Sequence, residues 1–332
     1  MTYKAKIVGL SLLAAALTAS LILGALYSYR GSESRSARPL ASFVRTGTVS
    51  EIVFQDNGKS VLLAAEMEGR AGRTWSVVIQ GEKFPAVREK VERFIELVDT
   101  AQVFPALTEN EETWGLFGVE DSSARRIKFS GSGGATEVIL GGEDEAGRGQ
   151  YIRFAGASAV YLAGQSFSYY AERDAAYWSD LRVFPASLTA QDIIGLSAAG
   201  AVSWRLFRET RPEGLLWTAE GAPAKKLNQG KADSLATALC RINAKSFVPG
   251  TIFLPEASFT PGADYSGLGT AEAVFILTAS NKERYELCVG SADEEGSRRA
   301  AARVSGETLP YLYLLDAHTL GRIMLPLGDI EE

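Results

Sequence analysis

Residues 75–105 read WSVVIQGEKFPAVREKVERFIELVDTAQVFP, and this stretch decides the fold because the chain writes its plan twice. Trp75-Ser76-Val77-Val78-Ile79 reads as a strand, and Gln80-Gly81-Glu82-Lys83 as a polar turn. Pro85 suits a first helical turn, where its missing N–H removes no bond. Val87, Val91, Phe94, Ile95 and Val98 then fall at i, i+4, i+7, i+8 and i+11, one face of a 3.6-residue period. Arg88, Glu89, Lys90, Glu92, Arg93 and Glu96 take the opposite face, with mixed signs that pair along a helix. Val103-Phe104-Pro105 carries the chain away.

The second copy starts at Trp217 and leaves through Phe247-Val248-Pro249. Leu235, Ala238, Leu239 and Ile242 stand 144 positions after Val91, Phe94, Ile95 and Val98, and Pro249 stands 144 after Pro105. Ile193 answers Ile52 at 141 positions, Trp217 answers Trp75 at 142, Gly290 answers Gly141 at 149, and Leu314 answers Leu162 at 152. Offsets that drift only through turns, with the order kept, are what duplication followed by loop insertions gives. The reading is an α+β chain of two tandem similar domains, residues 48–190 and 191–330, each a helix on a mainly antiparallel sheet. A length of 332 residues fits two domains.

Within the first copy, Val49–Phe54 and Ser60–Ala65 alternate around Asn57-Gly58, a favoured hairpin turn. Arg126–Ser130 and Thr136–Leu140 flank Gly131-Ser132-Gly133-Gly134, and Tyr151–Phe154 and Ala159–Leu162 follow as further strands of a meander. The glycine run has no Gly-Lys-Ser/Thr ending and precedes a strand, so it is a hairpin turn and not a phosphate loop.

Ile7–Tyr29 carries no charge and is 23 residues long, enough to span a hydrocarbon core of roughly 30 Å as a helix. It exceeds the roughly 7–15 apolar residues of a cleaved signal, and Leu21-Ile22-Leu23 runs past the small-residue site at Leu17-Thr18-Ala19. The expectation is a cytoplasmic tail at 1–6, a transmembrane signal-anchor at 7–29 and a polar linker at 30–47. That arrangement puts the bulk of the chain outside the cytoplasmic membrane.

A net charge of −6, with no basic stripe and interleaved aromatics, argues against nucleic acid as a partner. His318 is the one histidine, and no G-x-S-x-G elbow occurs, so a His-based triad or zinc site finds no partners. No catalytic, cofactor or metal residue is assigned, and the expectation is a protein that is not an enzyme. Glu143-Asp144-Glu145 and Asp293-Glu294-Glu295 fall at corresponding places 150 apart; contiguous carboxylates wrap a cation poorly and read as solvated hairpin tips. Cys240 and Cys288 have two readings, a disulfide if their Cα atoms approach within about 7 Å or two buried thiols. Phe167, Tyr169, Tyr170, Tyr177 and Trp178 crowd the connector between the copies, where they either dock a partner or close a core.

The strand-turn-helix Trp75…Gly81-Glu82-Lys83-Phe84-Pro85…Val91, Gly115-Leu116 before a strand, Gly141, Val160-Tyr161-Leu162 and Trp178-Ser179-Asp180-Leu181-Arg182 resemble the bacterial family called domain of unknown function 4340. The resemblance implies a membrane-anchored, extracytoplasmic accessory or scaffold subunit of an ABC-type, gliding-associated transport complex. Its partners would be the membrane and the permease and auxiliary membrane subunits. The alternative is an extracytoplasmic module that captures a peptide, glycan or lipid for such a transporter. The second copy departs from the charged helix face, with Ala232, Ser234, Ala236 and Thr237 in its place.

Overall fold

The computed structural model describes residues 18, 20, 37–68, 72–122, 125–212, 214–221, 226–250 and 258–332. Apart from Thr18 and Ser20, the expected membrane span Ile7–Tyr29 lies outside the described residues, as does the tail at 1–6. Among the described residues no helix is long and apolar enough to cross a membrane. The chain is α+β and mostly antiparallel sheet, as expected. Contacts divide it into two compact units, residues up to Trp75 with Arg88–Asp174, and Ser76–Val87 with Ala175–Glu332. Val183, Phe184 and Leu188 of the connector are buried in the second unit's core.

The first sheet contains β1 (Arg38–Pro39), β2 (Val49–Asp56), β3 (Lys59–Glu68), β4 (Gly72–Ile79), β5 (Glu82–Pro85), β6 (Gln102–Val103), β7 (Arg126–Gly131), β8 (Gly134–Glu143), β9 (Gln150–Phe154) and β10 (Val160–Ala163). Within the first unit their order is β1-β6-β10-β9-β8-β7-β2-β3, followed by β4 up to Trp75; the rest of β4 and β5 are counted in the second unit. Asn57 and Gly58 both have positive φ, 47° and 80°, the geometry of the tight hairpin turn that pairs Asp56 with Lys59. The linker expected to run to residue 47 is packed from Arg38 on, with Leu40 and Val44 buried. Helix α1 (Arg88–Thr100) buries Val91, Phe94 and Val98, and the Phe94 ring meets Phe54 edge-on at 4.9 Å. The predicted periodicity is therefore the face that covers the sheet.

The second unit holds β11 (Ile193–Gly200), β12 (Trp204–Arg211), β13 (Gly214–Ala219), helix α2 (Gln229–Cys240), β14 (Ser246–Val248), β15 (Ala273–Ala279), β16 (Arg284–Ala292), β17 (Arg298–Val304) and β18 (Glu307–Leu315). Its sheet runs β14-β18-β17-β16-β15-β11-β12-β13. The first sheet contains the same order, β6-β10-β9-β8-β7-β2-β3-β4, with the helix likewise between its third and fourth strands. Backbone bonds fix the correspondence. Leu40 N–H donates to Ala101 O (2.8 Å) and Val183 N–H to Ile242 O (3.1 Å); Phe104 N–H donates to Leu162 O (2.9 Å) and Lys245 N–H to Leu314 O (2.7 Å). These bonds set the offset after the helices at 141, not the 144 read from the sequence. Three residues are about 300° of helical rotation, so both alignments put apolar side chains on nearly the same face.

Each sheet has its helix on one face and an irregular segment on the other. In the first unit Val119 of that segment is buried against Ile139 and Val160, with Trp114, Phe117 and Tyr151 around them. Arg153, wholly buried, lies 3.7 Å from the Trp114 ring and donates to Val119 O and Ala157 O. In the second unit Phe259, Leu268 and Ala271 cover Val274, Cys288, Ala301 and Leu312.

Candidate functional site

The covering segment approaches the sheet at one glycine in each unit. A Cβ on Gly141 of β8 would stand 2.2 Å from Phe117 O, and one on Gly290 of β16 would stand 2.4 Å from Leu268 O. Both strands bulge at this glycine, between Leu140 and Glu143 and between Val289 and Ala292. Gly118 and Gly269, which follow the two carbonyls, turn the segment away with φ of 67° and 79°. The close approach places Leu116 and Gly267 at equivalent positions.

Next to each bulge is a hairpin tip built on one aspartate. Asp144 Oδ2 accepts from the N–H groups of Ala146 (3.1 Å) and Arg148 (3.4 Å); Asp293 Oδ1 accepts from those of Glu295 (3.0 Å) and Ser297 (2.8 Å). Both acidic runs are therefore hairpin tips, with Asp144 as the counterpart of Asp293 at an offset of 149. The sequence alignment matched Glu143 to Asp293, one residue off. In the first unit the Arg148 guanidinium also grips Asp144 with two bonds of 2.9 and 3.0 Å, and Tyr151 OH donates at 3.0 Å. The Arg148 bonds, then the Tyr151 bond, hold the Asp144 carboxyl below the ordinary carboxylate range, while desolvation opposes them.

The helix-exit segment, the covering segment, the hairpin tip and the last strand enclose a hollow at the same place in both units. In the first unit two adjoining hollows share Phe117, Arg148 and Tyr151. One, of about 640 Å³, is walled by Phe104, Pro105, Ala106, Leu107 and Leu162; the other, of about 590 Å³, lies between Gly115–Gly118 and the tip. Leu116 is 82% exposed and Leu107 50% exposed, so two large apolar side chains of this region face water. In the second unit one hollow of about 820 Å³ is bounded by Ser246–Pro249, Asp264–Gly269, the Asp293 tip and Leu314. These volumes are in the range of small-molecule sites.

The aromatic, cysteine and histidine residues singled out in the sequence lie elsewhere. Phe167 and Trp178 are buried, so they close cores and present no surface. Tyr170 packs on Phe94 at 5.1 Å, and Tyr177 meets Trp178 edge-on at 5.1 Å. Tyr169 is half exposed and carries the Arg173 guanidinium 4.0 Å from its ring. Cys240 and Cys288 are both buried free thiols, the second of the two readings of the sequence. Cys240 packs in the core under α2, whereas Cys288 points to the opposite face of the sheet, against Val274 and Ala301. Burial pushes the two thiols up to about 11 and about 12. His318 is exposed at the start of a short helix, and among the described residues no three His, Cys, Asp or Glu side chains are grouped to hold a metal ion.

The hollows escaped the sequence reading because their walls come from four separated segments. The local signal was Gly115-Leu116-Phe117-Gly118, two large apolar residues framed by glycines in a segment with no strand or helix period.

Comparison with known proteins gives three findings. An uncharacterized protein of Treponema pallidum (strain Nichols) is 25% identical over 130 residues, which is 39% of this chain and 41% of that relative. The chain thus spans about two fifths of that curated relative's length. No solved structure matches. The family described as Domain of unknown function (DUF4340) matches residues 75–265, a span from the strand at Trp75 into the second hollow's covering segment. That is more than half of the chain, and the chain belongs to this family.

Proposed function

We propose that this protein is a non-catalytic accessory subunit of an ABC-type transport complex, anchored in the bacterial cytoplasmic membrane by Ile7–Tyr29 and working outside the cytoplasm as two tandem similar domains. The observation that carries this reading is Leu116, 82% exposed beside an apolar hollow, with Leu107 half exposed on its wall. Exposed apolar groups grouped around a hollow are what a protein interface covers. The partner would be a permease or auxiliary membrane subunit.

Tagged full-length protein purified in mild detergent tests this. Recovery of an ABC permease and ATPase in fixed ratio, lost with Leu116→Asp, supports the reading. A wild-type protein that elutes alone and monomeric overturns it.

A second reading, a module that captures a ligand for the transporter, is favoured by the 820 Å³ hollow of the second unit. Ligand binding there would raise thermal stability by mass action.

A further inference from the structure

The second unit's hollow differs from its counterpart in chemistry, not in construction. Ser246 stands where the first unit has Pro105, Ser266 where it has Gly115, and Ser291 where it has Gly142. Gly267 replaces the exposed Leu116, and Arg299 replaces Tyr151. Hydroxyls thus join an apolar wall of Phe247, Val248, Leu268 and Leu314, and Asp264, Asp293 and the Arg299 guanidinium also line the hollow. Arg299 commits one N–H to Gly267 O (2.8 Å), and among the described residues no carboxylate is ion-paired with it.

We propose that this hollow binds a glycan, a neutral ligand rich in hydroxyl groups. The inference rests on the ligand-capture reading above and names its ligand class. A sugar hydroxyl both donates and accepts. The site offers donors on Arg299, acceptors on Asp264 and Asp293, and serine hydroxyls that do either. An anion would face two carboxylates and a cation the guanidinium. An apolar ligand would leave these groups desolvated without partners. An extended peptide would need the outer side of β14 to add as a strand. That neighbourhood is already occupied within the second unit: the Phe84 ring stacks 4.7 Å from Phe247, and the Glu82 carboxylate accepts from Gly250 N–H at 3.0 Å.

The test is saturation-transfer NMR and calorimetric titration of the full-length protein, in a detergent without a sugar head group. The probes are chitotetraose, tetra-alanine and palmitate. Chitotetraose is expected to bind, and Arg299→Ala is expected to weaken it by about tenfold or more, the size of one hydrogen bond to a charged group. Binding of tetra-alanine or palmitate in place of chitotetraose, weakened by Arg299→Ala, overturns the glycan assignment and leaves ligand capture standing. Binding of none of the three overturns both. Chitotetraose binding that Arg299→Ala and Asp264→Asn do not change overturns the placement of the site.

Discussion

The carbonyl oxygen of Phe117 occupies the space that a side chain on Gly141 would need, 2.2 Å from an ideal Cβ. Backbone lies on both sides of this contact, so neither side can yield as a flexible side chain would. Gly141→Ala is expected to destabilise the protein by about 1–3 kcal/mol or more, the range for forcing a group into a packed site. Gly290→Ala, against Leu268 O, is expected to do the same in the second unit. Gly47→Ala, with nothing near its Cβ and an ordinary φ, is the control and should stay within about 0.5 kcal/mol. Denaturant unfolding curves of the three variants measure this.

Asp144 gives a pH dependence with a definite sign. Its folded pKa lies below the ordinary 3.8, so its contribution is fully present above 3.8 and is lost as pH falls through the lower folded value. Asp144→Asn removes that contribution. The melting-temperature gap between wild type and Asp144→Asn is therefore expected to be constant from about pH 7 to about pH 5 and to shrink below about pH 4. A gap that stays constant to about pH 2 would show that the carboxylate charge does not stabilise this hairpin tip.

The two thiols are expected to be silent in the native protein. Both are buried and carry pKa values pushed up to about 11 and about 12, and the thiolate is the reactive form. Titration with a chromogenic disulfide should count none in buffer and two in denaturant, and a reductant should not move the melting temperature. A native protein whose melting temperature drops on reduction would restore the disulfide reading.

The aromatic connector separates into core and surface. Trp178→Ala is expected to cost about 3–5 kcal/mol, as large-to-small changes in packed cores do. Tyr169→Ala, at a half-exposed ring, is expected to cost less than about 1 kcal/mol. Similar losses for both, read from unfolding curves, would contradict this division.

Much of the architecture was legible because it is written in local periods. The Asn57-Gly58 turn predicts its own register, and Val91, Phe94 and Val98 predict the buried face of α1. The repeat was legible at Trp75 and Trp217, where both rings are buried in equivalent strands. It slipped at the helices, where a three-residue shift preserves the apolar face and leaves no contradiction in the pattern. It slipped again at the hairpin tips, since three adjacent carboxylates look alike in sequence. Only the N–H groups around Asp144 and Asp293 tell which one organises the turn. The hollows were illegible for a different reason. Exposure of Leu116 and burial of Trp178 depend on which distant segments arrive beside them, and composition favoured the aromatics.

The hairpin Ser76–Val87 lies in the first half of the sequence but is counted in the second unit, where Phe84 is buried against Phe247. During synthesis these twelve residues emerge 88 positions before Ala175, the point where the rest of their unit begins. At about 5–20 residues per second, Phe84 waits many seconds for Phe247 to be made. The second unit is therefore expected to complete its core only after the first has been synthesised, and cutting the chain at Asp174 is expected to leave the second half without its hairpin. A faithful division of this molecule would have to carry the hairpin across the cut.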